Sequence, residues 1–164
     1  MPPYVLTGEF YSPHNSVSVL EFSPDAHLLC LGGGTRQLYL VNAAGCHPIG
    51  TIELQRIPTA VLWKASAPHL LIVGMADGTF TTTTINESLE VTIGPTYRTG
   101  GLAHISAFAM DGIHKILAVA TGPLVHIYRF EPGDCELTFP ITFDHLSTVD
   151  HGPTSQLFSR TRHW

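Results

Sequence analysis

The sequence predicts an all-β chain built from three four-stranded antiparallel units, and three observations carry that expectation. Short apolar runs recur in a fixed order with a period in the forties. Turn signals made of Asp and a small residue separate them. The composition also suits strands: 44% of the 164 residues are hydrophobic and only 13% are charged, about half the roughly 25% usual for globular domains. A chain this long can bury a real core, and one this poor in charge does not read as disordered.

The first strand of each unit is read from what precedes its turn. Val17, Val19 and Leu20 lead into Phe22-Ser23-Pro24-Asp25-Ala26, and Ile105 leads into Phe108-Ala109-Met110-Asp111-Gly112. A weaker middle copy, Ala60-Val61-Leu62-Trp63, runs into Lys64-Ala65-Ser66-Ala67-Pro68, which sets Trp63 at the position of Phe22 and Phe108 and makes it a core residue. The second strands are His27–Gly33, His69–Met75 and Lys115–Thr121, starting 42 and then 46 residues apart. Each has a polar head, four apolar residues and a small one, as strands buried on both faces do. Third strands follow at Gln37–Asn42, Thr79–Ile85 and Leu124–Arg129. The middle one opens on Ala76-Asp77-Gly78, a hairpin signal, and its four threonines are β-branched strand formers. Fourth strands are expected at Pro48–Leu54, Ser88–Ile93 and Glu136–Phe143.

A four-stranded sheet cannot bury both of its faces alone, whereas several stacked around one axis bury each other, which is the logic of a β-propeller. The expected organisation is an N-terminal segment, 1–16, with one strand at Tyr4–Leu6. Three repeats follow at 17–57, 58–102 and 103–143, and then an irregular tail at 144–164. Propellers close with about 4–8 blades, so three leave the stack open and two apolar faces uncovered. Such a chain is expected to be a piece of a longer propeller, to self-associate, or to take its missing blades from another chain.

The pattern resembles the WD-repeat family, whose blade carries Val-x-x-Val-x-Phe-Ser-Pro-Asp-Gly, an apolar strand ending in Gly or Ser, Asp-Gly-Thr, and a strand ending in Trp-Asp. Val17, Leu20 and Phe22-Ser23-Pro24-Asp25 match the first part, with Ala26 in place of the Gly, and Asp77-Gly78-Thr79 matches the turn. Together the copies span roughly residues 17 to 143. Where the family has Trp-Asp, this chain has Val41-Asn42, Thr83-Thr84 and Tyr128-Arg129, and the Gly-His pair is missing. The resemblance implies a partial propeller of about three blades and a non-catalytic scaffold that holds protein partners on its loops. On that analogy the binding residues are Arg36, Arg56, Asp77, Tyr97 and Arg98, since Arg and Tyr are enriched in binding hot spots; the plain alternative is that they are solvated loop residues. The rival reading is an enzyme or small-ligand binder with a site in a central channel.

Charge and chemistry narrow the rest. A net charge of −5 with eight Lys and Arg gives no footprint for nucleic acid. No signal peptide is expected from Met1-Pro2-Pro3-Tyr4, and no apolar run reaches the ~20 residues of a membrane span. Three cysteines without a Cys-x-x-Cys pair point to a reducing compartment, cytosol or nucleus. Ten histidines give no expected metal site: the nearest pair, His145 and His151, lacks a cysteine partner. No nucleophile elbow or reactive-cysteine motif occurs. Cys30 lies within an apolar strand and is expected to be buried and inert, and Asp25, Asp77 and Asp111 are expected to fix turns. Gly32-Gly33-Gly34 lacks the Lys-Ser/Thr of a phosphate loop and reads as a hairpin. No cofactor is expected.

Overall fold

A computed structural model describes residues 9, 16–64, 70–86, 88–111, 113, 115–131 and 142–150. Among them are twelve strands and no helix, arranged as three antiparallel four-stranded sheets in chain order. The first sheet holds β1 (Val19–Phe22), β2 (Leu28–Gly32), β3 (Gln37–Asn42) and β4 (His47–Glu53). The second holds β5 (Pro58–Trp63), β6 (Leu70–Met75), β7 (Thr79–Ile85) and β8 (Val91–Arg98). The third holds β9 (Ile105–Asp111), β10 (Ile116–Thr121), β11 (Leu124–Glu131) and β12 (Thr142–Asp150). Each strand pairs with its neighbours in sequence, and a bulge recurs between the third and fourth strands of every sheet.

Cross-strand partners make the three sheets equivalent residue by residue. Cys30 faces Leu40, Ile72 faces Thr82 and Ala118 faces Ile127 in the three inner hairpins. The same register corrects one alignment. Phe22 lies opposite Leu29 and Trp63 opposite Leu71, so their counterpart is Met110 opposite Leu117, not Phe108, which pairs with Val119. Trp63 is core all the same, 4% exposed, with its indole N–H donating to the Glu21 carbonyl at 3.4 Å.

Because successive strand residues point to opposite faces, the second sheet divides its side chains between two neighbours. Trp63, Leu71, Val73 and Ile85 pack with Cys30, Leu38, Leu40 and Ile52 of the first sheet. Ala60, Ile72 and Phe80 pack with Ile105, Leu117, Val119 and Tyr128 of the third. The first strands β1, β5 and β9 lie side by side, with β5 touching both of the others. Gly74 permits the close approach of β9: a Cβ there would stand 2.7 Å from Ile105 Cγ2.

Burial follows from this order. All six residues of β6 are buried, as a continuous apolar run requires, but β10 alternates half-buried and buried. The expectation of two-faced burial holds for β6 and fails for β10, whose sheet has one neighbour among the described residues. Two fourth strands also differ from expectation. Ser88–Ile93 is expected, but β8 begins at Val91 and continues through Gly94 and Pro95 to Arg98; it is an edge strand, where proline is tolerated, and the bulge there brings Thr81 Oγ1 within 3.1 Å of the Gly94 and Pro95 carbonyls. The last described strand is Thr142–Asp150, so the segment expected to be irregular from 144 is strand through Asp150; of the strand expected at Glu136–Phe143, residues 136–141 lie outside the described residues. Tyr4–Leu6 and 151–164 fall outside the described residues.

Candidate functional site

The connections between second and third strands and between one sheet and the next gather along one edge of the assembly. Backbone bonds knit them together. The Leu54 amide donates to the Arg36 carbonyl (2.8 Å), the Ala76 amide to the Ile57 carbonyl (2.9 Å), and the Thr99 amide and hydroxyl to the Gly78 carbonyl (3.2 and 2.8 Å). Gly78 has φ +77°, and a Cβ there would stand 2.6 Å from the Gly101 carbonyl. Only glycine fits both the backbone angle and the space.

Asp77 organises the middle of this edge. Its Oδ1 accepts from the Thr79 amide (3.2 Å) and hydroxyl (2.5 Å), and its Oδ2 meets Arg56 Nε at 3.4 Å. Partial burial pushes the carboxyl up, but the Thr79 bonds and the Arg56 charge outweigh it and hold it below its ordinary value. Asp25 and Asp111 make the corresponding turn contacts, to the His27 amide (3.0 Å) and the Ile113 amide (2.9 Å). The turn-fixing role expected of all three aspartates is what the geometry gives.

The five residues singled out from sequence divide. Arg56 and Asp77 come together as an ion pair with side chains 61% and 34% exposed, worth at most about 1 kcal/mol at such exposure. Arg36 is exposed in the β2–β3 connection. Arg98 is exposed but is not a loop residue; it ends β8 opposite Thr79, one register step past the Asp77 turn. Tyr97 is also in β8, half-buried, with its ring stacked on Phe80 at 5.2 Å between centroids and 21° between planes. That ring serves the core first. Both lie beyond Ile93, the expected end of this strand. Sequence reasoning also missed Ile57 (40% exposed) and Leu102 (87% exposed), apolar side chains presented on the same edge. Their signal was an apolar residue stranded in Gln55-Arg56-Ile57-Pro58 and in Gly100-Gly101-Leu102, where no strand periodicity could bury it. Glu53, bonded to the Gln37 amide group, adds a second carboxylate at this end.

A separate open groove of about 350 Å³ runs along β1, β5 and β9, lined in part by Ser18, Glu21, Thr59 and Ser106. Two of its hydroxyls are engaged: Thr59 Oγ1 donates to the Ile105 carbonyl (2.6 Å) and Ser106 Oγ to the Ala120 carbonyl (3.3 Å). Glu21 is its one ionisable lining residue, held above the usual carboxylate range by burial and only partly offset by its backbone bond to Trp63. Cys30, fully buried, has its thiol pushed up to about 12 by burial and by Glu21. The buried His126 shares a 3.1 Å bond with Thr121 Oγ1. Among the described residues, no three His, Cys, Asp or Glu side chains converge as metal ligands, and no helix is long and apolar enough to cross a membrane. No protein-family model matches the chain, and no curated protein does.

Proposed function

We propose that the chain is a partial β-propeller of WD-repeat type whose loop-bearing edge binds other proteins without catalysis. The propeller reading is supported by three sheets of the same register stacked in sequence, with their first strands adjacent. One observation carries the binding reading. Three of the chain's eight Lys and Arg residues, Arg36, Arg56 and Arg98, lie on the same knitted edge as the exposed apolar Ile57 and Leu102. Guanidinium groups beside apolar anchors on a rigid frame suit an extended partner segment that offers carboxylates and an apolar side chain. The central groove supports the rival, enzymatic reading less well, because a lone carboxylate supplies no acid–base pair.

The test is selection of peptides from a displayed library on the wild-type chain and on an Arg56→Ala/Arg98→Ala variant. Enrichment of acidic, apolar-anchored peptides on the wild type, lost on the variant with an unchanged melting temperature, is the expected result. No enrichment, or equal enrichment on both, would overturn the assignment of this edge.

A further inference from the structure

We infer that the residues before Ser16 fold back across the outward face of the first sheet and close it from within the chain. The inference stands apart from the loop edge and does not depend on how many sheets the propeller has.

The two faces of the first sheet differ in how they are covered. Toward the second sheet it turns Val19, Cys30, Leu38, Leu40 and Ile52, which come from all four of its strands and are at most 3% exposed. A neighbouring sheet therefore buries the full width, β1 through β4. The outward face shows another pattern. Its register rows, each running from β1 to β4, are Leu20–Leu31–Tyr39–Thr51 and Phe22–Leu29–Val41–Pro48. On the two middle strands Leu31 and Val41 are 3% and 2% exposed. On the outer strands Leu20 and Phe22 are 63% and 56% exposed, and Thr51 and Pro48 are exposed as well. Neighbouring strands lie about 4.8 Å apart, so the covered strip is one or two strands wide. That is the footprint of a single extended segment and not of a sheet.

The third sheet shows a face with no described neighbour. There Ala118 and Ile127, also on middle strands, are half-buried, so a central position is not buried by its own sheet alone. Leu31 and Val41 belong to neither of the clusters that join the sheets, which leaves their cover to the chain outside the described residues. Residues 132–141 join β11 to β12 and residues 151–164 follow β12. Both adjoin the third sheet, and the second sheet packs between it and the first.

The residues before Ser16 start in the right place. Ser16 sits on the β2–β3 turn: Cβ atoms at Gly33 and Gly34 would stand 2.9 Å from its carbonyl oxygen and 3.3 Å from its hydroxyl. The chain thus enters β1 across the end of the two covered strands. Fifteen extended residues reach up to about 50 Å, and a six-residue strand is about 20 Å long. Glu9 is exposed, and in an extended run Leu6 and Phe10 lie on the face opposite to it. Those two side chains are apolar and suit the Leu31–Val41 strip. With the segment in place this face offers a partner only the β1 side, Leu20 and Phe22; its release would bare an apolar surface continuous with them.

The experiment is photocrosslinking of the purified full chain grown with photo-leucine in place of leucine, with the adducts of Leu31 located by mass spectrometry. Leu31 is expected to join to residues 4–11. Adducts of Leu31 with residues 132–141 or 151–164, or with water alone, would overturn the proposal. A second reading is thiol labelling of Val41→Cys, alone and combined with Leu6→Glu/Phe10→Glu, in chains checked for retained β-sheet circular dichroism. Labelling should be about tenfold or more faster in the combined variant, because docking would then bury carboxylates. Ala118→Cys on the third sheet should react equally in both backgrounds. Equal rates for Val41→Cys with and without the two carboxylates would overturn the proposal as well. Peptide binding at the loop edge is read on Arg56→Ala/Arg98→Ala, so the two assignments fail or hold separately.

Discussion

Ala26 sits in the turn between β1 and β2 with φ +59°, a left-handed backbone that a Cβ disfavours. The turn holds it there: its amide donates to the Ser23 carbonyl at 2.8 Å, while Asp25 accepts from the Ser23 hydroxyl and the His27 amide. Ala26→Gly should relieve the strain and raise stability by about 0.5–1 kcal/mol in urea melts, less what glycine adds to unfolded-chain entropy; an unchanged or lowered midpoint would mean that the turn carries no strain. Glu21 makes a different kind of prediction. Its folded-state pKa lies above the ordinary 4.5 because burial disfavours the charge, so ionisation opposes folding. That cost is complete above the raised pKa and vanishes as pH falls below 4.5. Glu21→Gln should therefore stabilise the chain at pH 7, by less than about 1 kcal/mol for a group only half-buried, and should make no difference near pH 3. Asp77 titrates with the opposite sign: its pKa is lowered from 3.8, so its contribution is present at neutral pH and is lost in acid. Asp77→Asn should cost stability at pH 7 and little below its folded pKa, read by the same melts. Such residue-scale features were partly legible beforehand. The turn aspartates follow from sequence because Asp next to a small residue has few other uses, whereas the backbone bond that partly offsets the burial of Glu21 comes from Trp63, 42 positions away.

At the scale of elements, the aromatic group around β7 ties the second sheet to the third. Phe80 is fully buried, stacks on Tyr97 within its own sheet, and meets Tyr128 and Phe108 of the third sheet edge-on, with centroids 5.4 and 6.2 Å away. Phe80→Ala should cost about 3–5 kcal/mol, read as a fall in the denaturation midpoint. A loss below about 1 kcal/mol would mean that the two sheets repack freely without it. On the same strand, Thr82 is fully buried and its hydroxyl has no partner among the described residues. Its register counterparts are Leu40 and Ile127, so Thr82→Val should gain about 1 kcal/mol by removing an unmet donor from an apolar interface. Strand order and type were readable because each hairpin is local: Gln37–Asn42 and Thr79–Ile85 match β3 and β7 to the residue. What failed lay at edges. Gly94-Pro95 would break a central strand but is tolerated in β8, where no neighbour needs the missing N–H. The equivalence of Trp63 to Met110 instead of Phe108 depends on register, which one sequence cannot fix when Phe108, Ala109 and Met110 alternate similarly.

The whole molecule is set by how many faces each sheet has to bury. Among the described residues the second sheet has a neighbouring sheet on each side and the first and third have one each, so local opening should be most costly in β6 and β7. Native-state hydrogen exchange should show this directly, with amides of β6 outlasting those of β2 and β10. The gradient comes from apolar cover and not from hydrogen-bond count, since β2, β6 and β10 are each bonded on both sides within their own sheets. The candidate binding edge should follow the same order: the Asp77 turn belongs to the sheet with two neighbouring sheets, while the loop carrying Arg36 belongs to one with a single neighbouring sheet among the described residues. An even profile would mean that β10 is covered as fully as β6 by other parts of the chain.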